Sequence, residues 1–255
     1  MFALIAFLLA ALGAPNGVEP DNAVPAPSLE KIADHVWVHK SYRNVPSWGL
    51  VLSQGLVIDT GEGVLLVDTA WTEEDTQKVL ALIKDATGKN PALAIVTHAH
   101  SDKMGGMGVL RAAGIPSRAD PMTNEDAPKR SLLPADGAIL DKGDFEALSA
   151  SLTPAKAGPV EVFYPGPGHT RDNIVAYYAP ARILFGGCLI RPAEATDFGN
   201  MADGDVANWA NAVRAVKARF PDAKIVVPTH GPAGGPELLD HTIMLAEAAA
   251  RHADH

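Results

Sequence analysis

The chain predicts an α/β fold, a four-layer αββα sandwich in which two sheets pack face to face and helices cover both outer sides. Two observations carry this. Short β-rich runs alternate with amphipathic helices, and they do so in two strand-rich halves, each followed by helices. With 47% apolar residues among 255, the chain can also bury a large core.

The first half opens with strand candidates at Val36–Val38, Gly49–Leu52, Leu56–Asp59 and Val64–Asp68, with turn signals at Gln54-Gly55 and Thr60–Gly63. Thr72 then opens a helix with three carboxylates in its first turn, where they favour the unpaired N–H groups. Val79, Leu82, Ile83 and Ala86 give that helix an apolar face, and Gly88 stops it. Leu93–Thr97 reads as a buried strand running into a polar loop at His98. The second half holds strands at Val162–Tyr164, Ile174–Tyr178 and Ile183–Gly186, a helix over Asp205–Phe220, a strand at Ile225–Val227 and a closing helix over Leu238–Arg251. No heptad, solenoid repeat or long low-complexity segment interrupts this order.

Before the domain, residues 2–14 carry no charge and are too short for a bilayer span of about 20 residues. Residues 1–14 therefore read as a secretory signal, with a buried N-terminal helix as the alternative. Residues 15–28 contain four prolines and read as an extended leader, so the folded domain is expected over residues 29–255 and the protein is expected in the periplasm. A formal charge of −9 argues against nucleic acid or an anionic membrane as partner, and a single cysteine excludes an internal disulfide. A monomer acting on small molecules is expected.

The chemistry concentrates in Thr97-His98-Ala99-His100-Ser101-Asp102-Lys103, where a buried strand runs out into a loop. Ligand-type side chains at alternate positions of an extended backbone share a side and converge on one metal. An exposed polar loop would explain this string alone, but three further strand ends answer it. His169 sits in the stiff turn Pro165-Gly166-Pro167-Gly168-His169-Thr170, Cys188 follows Phe185-Gly186-Gly187, and His230 follows Pro228-Thr229. Imidazole, carboxylate and thiolate together suit Zn²⁺. Six ligands exceed one tetrahedral zinc and suit two, with positions left open for solvent, which marks a catalytic centre. His35 and His39 fall in the first strand region, His241 in the last helix, and His252 and His255 on the tail, all readable as structural.

Val67-Asp68-Thr69-Ala70-Trp71, His98 to Gly106, Phe163 to Thr170 and Gly186-Gly187-Cys188-Leu189-Ile190 together resemble the metallo-β-lactamase superfamily, subclass B1, and within it the New Delhi type. The resemblance runs from about Val36 to the C-terminus. It implies the αββα sandwich with a dizinc site at one edge and the hydrolysis of penicillins, cephalosporins and carbapenems, conferring antibiotic resistance. It implies that His98, His100 and His169 hold one zinc and that Asp102, Cys188 and His230 hold the other, with a hydroxide between the metals as nucleophile and Asp102 orienting it. Arg191 stands where the family commonly has Lys to hold the substrate carboxylate, and Asn200 matches a donor to the carbonyl oxygen. Tyr42–Trp48 matches a flap in which Val45 and Trp48 contact substrate, although Arg43 falls where related flaps are often apolar. Asp68 and Lys103 would fix the ligand loops. A lactonase or thioesterase of the same superfamily is the alternative, and a non-catalytic zinc-binding protein a further one. Lys103 and Cys188 oppose a glyoxalase-like reading, in which a second His and a bridging Asp take those places.

Overall fold

The computed structural model describes residues 24–61, 63–139 and 160–253, with side chains described through Arg251. The expected signal over 1–14 lies outside the described residues, as does most of the expected leader. Its end, Ser28, already pairs in a strand.

The larger sheet has the order β1-β2-β3-β4-β5-β6-β7, comprising Ser28–Ala33, Val36–Val45, Gly49–Asp59, Val64–Val67, Pro91–Val96, Ser117–Ala119 and Gly137–Ala138. It is antiparallel from β1 to β4 and parallel from β4 to β7. The smaller sheet has the order β11-β10-β9-β8, built from Ile225–Pro228, Ile183–Gly187, Val175–Tyr178 and Val160–Phe163. Side chains alternate as a pleated strand requires. In β4, Leu65 and Val67 face the core between the sheets, while Val64 and Leu66 face the outer helices. In β10, Ile183 and Phe185 join the same central core and Leu184 faces the other helical layer.

Those outer layers complete the expected sandwich. α1 (Glu73–Thr87), α2 (Ser101–Met104), α3 (Met107–Ala112) and α4 (Pro121–Asp126) accompany the large sheet, with α1 and α3 supplying Val79, Ile83 and Leu110 to its outer core. α5 (Val206–Arg219) and α6 (Glu237–Ala253) cover the small sheet, burying Trp209, Val213, Val216 and Leu239. Thr72 caps α1 by accepting from the Asp75 N–H at 3.0 Å, and Gly88 ends it with φ 73°, as the sequence predicts. The buried face of α1 is Thr76, Val79 and Ile83, whereas Ala86 is exposed. No helix among the described residues is long and apolar enough to cross a membrane.

Two strand expectations need correction. Gln54-Gly55 is not a turn, because β3 runs unbroken through it and pairs with β2 from end to end. The glycine is there for close approach: a Cβ at Gly55 would lie 2.1 Å from His39 Nε2 and 2.4 Å from the Val67 carbonyl oxygen. Gln54 is buried and donates to the carbonyls of Pro228 (2.8 Å) and Gly231, tying β3 to the end of the small sheet. His35 likewise is not in a strand but in the β1–β2 turn, exposed, with φ 62°. The hairpin of β2 and β3 extends beyond the sheet, and Trp48 N–H donates to Val45 O at its tip (3.0 Å).

Candidate metal centre

Chain ends on both sheets converge at one edge of the sandwich. His98 follows β5, Cys188 follows β10, His230 follows β11, and His169 sits in the loop between β8 and β9. A backbone bond from Ile174 N–H to Thr97 O (3.0 Å) ties that loop to the end of β5. Asp172 reinforces the join, since its carboxylate accepts from the Ala99 N–H (2.9 Å) and the Thr123 hydroxyl (2.7 Å).

The six predicted ligands come together in overlapping groups. The donor atoms of His98, His100 and Asp102 lie within 4.8 Å of one another, as do those of Asp102, Cys188 and His230, and those of His98, His169 and Cys188. His98 Nε2 and His169 Nε2 lie 3.1 and 3.2 Å from His100 Nδ1. Two nitrogens on a tetrahedral zinc with bonds of about 2.0–2.1 Å stand about 3.3 Å apart, so this spacing fits the ion. In the second group, Cys188 Sγ is 3.3 Å from His230 Nε2 and 3.8 Å from Asp102 Oδ2. Those separations bracket the roughly 3.5 Å expected for sulfur and nitrogen or oxygen on one zinc.

The opposite ring nitrogens are anchored, which fixes the lone pair that faces inward. His230 Nδ1 donates to Leu52 O at 2.7 Å. His98 Nδ1 lies 3.1 Å from Thr97 Oγ1, whose own proton goes to Asp68 Oδ2 at 2.9 Å. Asp68 also accepts from the Thr97 N–H (2.8 Å) and holds a left-handed backbone, φ 63°. His169 packs edge-on against Trp209, with ring centroids 5.6 Å apart. Burial pushes His98 and His169 well below the ordinary imidazole range and lowers His230, so these rings are neutral donors.

Lys103 lies beneath the second group with no exposed side chain, donating to Ser53 Oγ (3.2 Å) and Gln54 O (3.0 Å). Its ammonium is 3.4 Å from Asp102 Oδ2 and 3.5 Å from Asp68 Oδ2. Burial by itself would raise Asp102, but the Lys103 ammonium beside it holds its carboxyl well below the usual range. Asp68 is pushed up to about 6 by burial, despite Lys103 and the Thr97 bonds. Burial also pushes the Cys188 thiol up, so a thiolate there requires a cation at the sulfur.

A cavity of about 450 Å³ opens over these groups. It is lined by the predicted Val45, Trp48, Arg191 and Asn200 together with His100, His169, Asp102 and His230. Arg191 is half-buried and donates from Nε to Asp197 O (3.1 Å). Asn200 Oδ1 accepts from the Ala202 N–H at 3.0 Å, leaving its amide nitrogen as the donor group. Trp48 is exposed at the hairpin tip, and Arg43 lies over the ring of Trp71 at 6.0 Å. Sequence reasoning missed Ser53, whose hydroxyl donates to Asp102 O and Oδ2 (3.0 and 3.2 Å), and the pair Arg130 and Asp203. The polar pair Ser53-Gln54 inside an otherwise apolar stretch of β3 was the available signal for Ser53, whereas Arg130, at the end of a 3₁₀ turn, and Asp203, in a loop, belong to no local pattern. His39 Nε2 bonds to Asp68 O (3.0 Å) and His241 Nε2 to Ala195 O (2.9 Å), structural as expected.

Comparison with known proteins agrees with this geometry. The model of the metallo-beta-lactamase superfamily matches residues 48–230. The metallo-beta-lactamase type 2 of Bacteroides fragilis is 34% identical over 215 residues, 84% of this chain and 83% of the relative. That of Bacillus cereus is 37% identical over 220 residues, 86% and 82% of the two chains. Among solved structures, the metallo-beta-lactamase FIM-1 from Pseudomonas aeruginosa, in a mono-zinc form, superposes with a TM-score of 0.80 at 42% identity, covering 89% of this chain and 97% of that one. A metallo-beta-lactamase from Erythrobacter litoralis superposes at 0.81 with 40% identity, covering 87% and 96%. With a donor set suited to zinc and relatives matched over most of their length, the chain belongs to the metallo-β-lactamase superfamily, in company with its type 2 enzymes.

Proposed function

We propose that the protein hydrolyses the amide bond of β-lactams (penicillins, cephalosporins and carbapenems) at a centre of two zinc ions, and so confers antibiotic resistance. The observation that carries this is six donors crowded under one cavity, with the three imidazoles of His98, His100 and His169 meeting at His100 Nδ1 and Asp102, Cys188 and His230 forming an adjoining group. His98, His100 and His169 would hold one ion, and Asp102, Cys188 and His230 the other. When bound, zinc supplies Lewis acidity, lowering the pKa of water to about 7 and polarising a carbonyl. Asp102, kept ionised beside Lys103, would accept a hydrogen bond from the attacking water and so orient it. Asn200 donates its amide N–H to the lactam oxygen as charge develops there. Arg191 grips the carboxylate that these antibiotics carry next to the ring, with a fork suited to two oxygens. Val45 and Trp48 cover the apolar part of the substrate and exclude water.

Within the type 2 enzymes we assign the chain to subclass B1, with a likeness to the New Delhi type on the strings His98 to Gly106 and Phe163 to Thr170. Residues 1–14 would direct export to the periplasm and 15–28 would lead into a single domain over 29–255, acting as a monomer. The test is a panel of one penicillin, one cephalosporin and one carbapenem beside a lactone and a thioester, each with and without chelator. Chelator-sensitive turnover confined to the β-lactams supports the reading; turnover of the lactone or thioester alone overturns it.

A further inference from the structure

His98 has its second ring nitrogen tied to the buried Thr97 hydroxyl and His230 to the Leu52 carbonyl, and His100 has a different arrangement. Its Nδ1 faces His98 and His169, while its Nε2 lies 3.0 Å from Asp203 Oδ2. Asp203 stands in the loop between β10 and α5, 103 residues further along the chain. The same carboxylate oxygen accepts from Arg130 Nη1 at 2.7 Å, and Arg130 ends the 3₁₀ turn Pro128–Arg130 that follows α4. Three loops distant in sequence therefore meet at one oxygen atom.

The chemistry of that meeting is directional. A neutral imidazole carries one ring proton, and an ionised carboxylate only accepts. Asp203 thus holds the proton of His100 on Nε2 and leaves the Nδ1 lone pair facing the other two histidines. A carboxylate on a loop, with its side chain 33% exposed, would otherwise turn to water. Arg130 prevents this with a charge-assisted bond and brings to the contact the turn after α4. Both side chains line the main cavity, and both also line a second, polar cavity of about 470 Å³ that reaches Asp126, Arg171 and the buried Thr170. The pair is therefore the wall between the two spaces, immediately beside His100.

We infer that Arg130 and Asp203 form a positioning pair that orients His100 and sets the metal affinity of the three-histidine group, independently of the Asp–Cys–His group. The inference rests on the metal reading above. Neither residue touches substrate in this role; each acts through His100.

Cobalt(II) titration of the metal-free full chain separates the two groups, because only the group containing Cys188 gives a thiolate charge-transfer band. Asp203→Ala should weaken cobalt binding at the all-nitrogen group about 10–100-fold, the usual effect of losing such a partner, while the thiolate band keeps its midpoint. Arg130→Ala should weaken the same group about tenfold, and Arg130→Lys should restore most of the loss. Both side chains are about one-third exposed, so the variants should keep the melting temperature of the metal-free protein. Unchanged affinity at both groups in Asp203→Ala overturns the inference. So does a parallel loss at both groups with a lowered melting temperature, which would assign the pair to the scaffold. If the unsubstituted chain binds cobalt at neither group, the metal reading fails and the inference with it. Normal binding there, with unaffected variants, defeats the inference alone.

Discussion

Replacing Lys103 by Met keeps an unbranched chain of similar length and removes one fully buried positive charge. Two buried carboxylates, Asp102 at 3.4 Å and Asp68 at 3.5 Å, lose their common counter-ion, and Ser53 Oγ and Gln54 O lose a donor. Breaking a buried pair by removing one partner costs about 3–5 kcal/mol, because the remaining charge stays desolvated. For a chain of this size each kcal/mol moves the melting temperature by about 2–4 °C, so a fall of about 10 °C is expected. The loss should be larger at pH 7 than at pH 5, since Asp68, pushed up to about 6, is largely protonated at the lower pH and then needs no counter-ion. Urea unfolding of the metal-free protein, followed by circular dichroism at both pH values, measures this. A loss below about 1 kcal/mol at pH 7 would refute the reasoning, and would mean that the carboxylates find other partners or water once the ammonium is gone.

The remaining predictions concern single contacts. Arg191→Ala should raise KM for β-lactams about tenfold with little change in kcat, as expected when a hydrogen bond to a charged group worth about 1.5–3 kcal/mol is lost; Arg191→Lys should restore most of it, and an unchanged KM in steady-state kinetics would remove the residue from substrate binding. Gly55→Ala should destabilise the fold by about 3 kcal/mol, read as a lowered urea midpoint, because its Cβ would meet His39 Nε2 at 2.1 Å and backbone oxygen at 2.4 Å. Asp68 has a folded pKa of about 6 against an ordinary 3.8, so its contribution is fully present below about pH 4 and is lost as pH rises through 6. Measured against Asp68→Asn, which does not titrate, the unsubstituted protein should therefore lose up to about 3 kcal/mol of relative stability between pH 4 and 7.

Much of the architecture was legible because it follows from local rules. Short, continuously apolar β-rich runs identified the central strands, and Thr72 and Gly88 marked the ends of α1 where cap chemistry requires them. The six ligands were legible because metal donors at strand ends have no comfortable place in an apolar core. The rest depended on long-range contacts. β1 was missed because an edge strand with the mixed sequence Ser28–Ala33 gains its stability from pairing with β2 rather than from an apolar pattern. Gln54-Gly55 imitated a turn because a glycine needed for close packing looks, in one dimension, like a glycine needed for chain reversal. The short elements between His100 and Ala138 are under seven residues each, too brief for periodicity to register. Arg130 and Asp203 carry no local signal, since each is defined by a partner more than 70 residues away.

The most direct test of the central claim is zinc add-back to metal-free protein while carbapenem hydrolysis is followed by absorbance. The six-donor centre predicts negligible turnover without metal, recovery on zinc addition, and saturation at two zinc ions per chain. Full turnover in the metal-free protein, or binding of zinc with no recovery of hydrolysis, would contradict it.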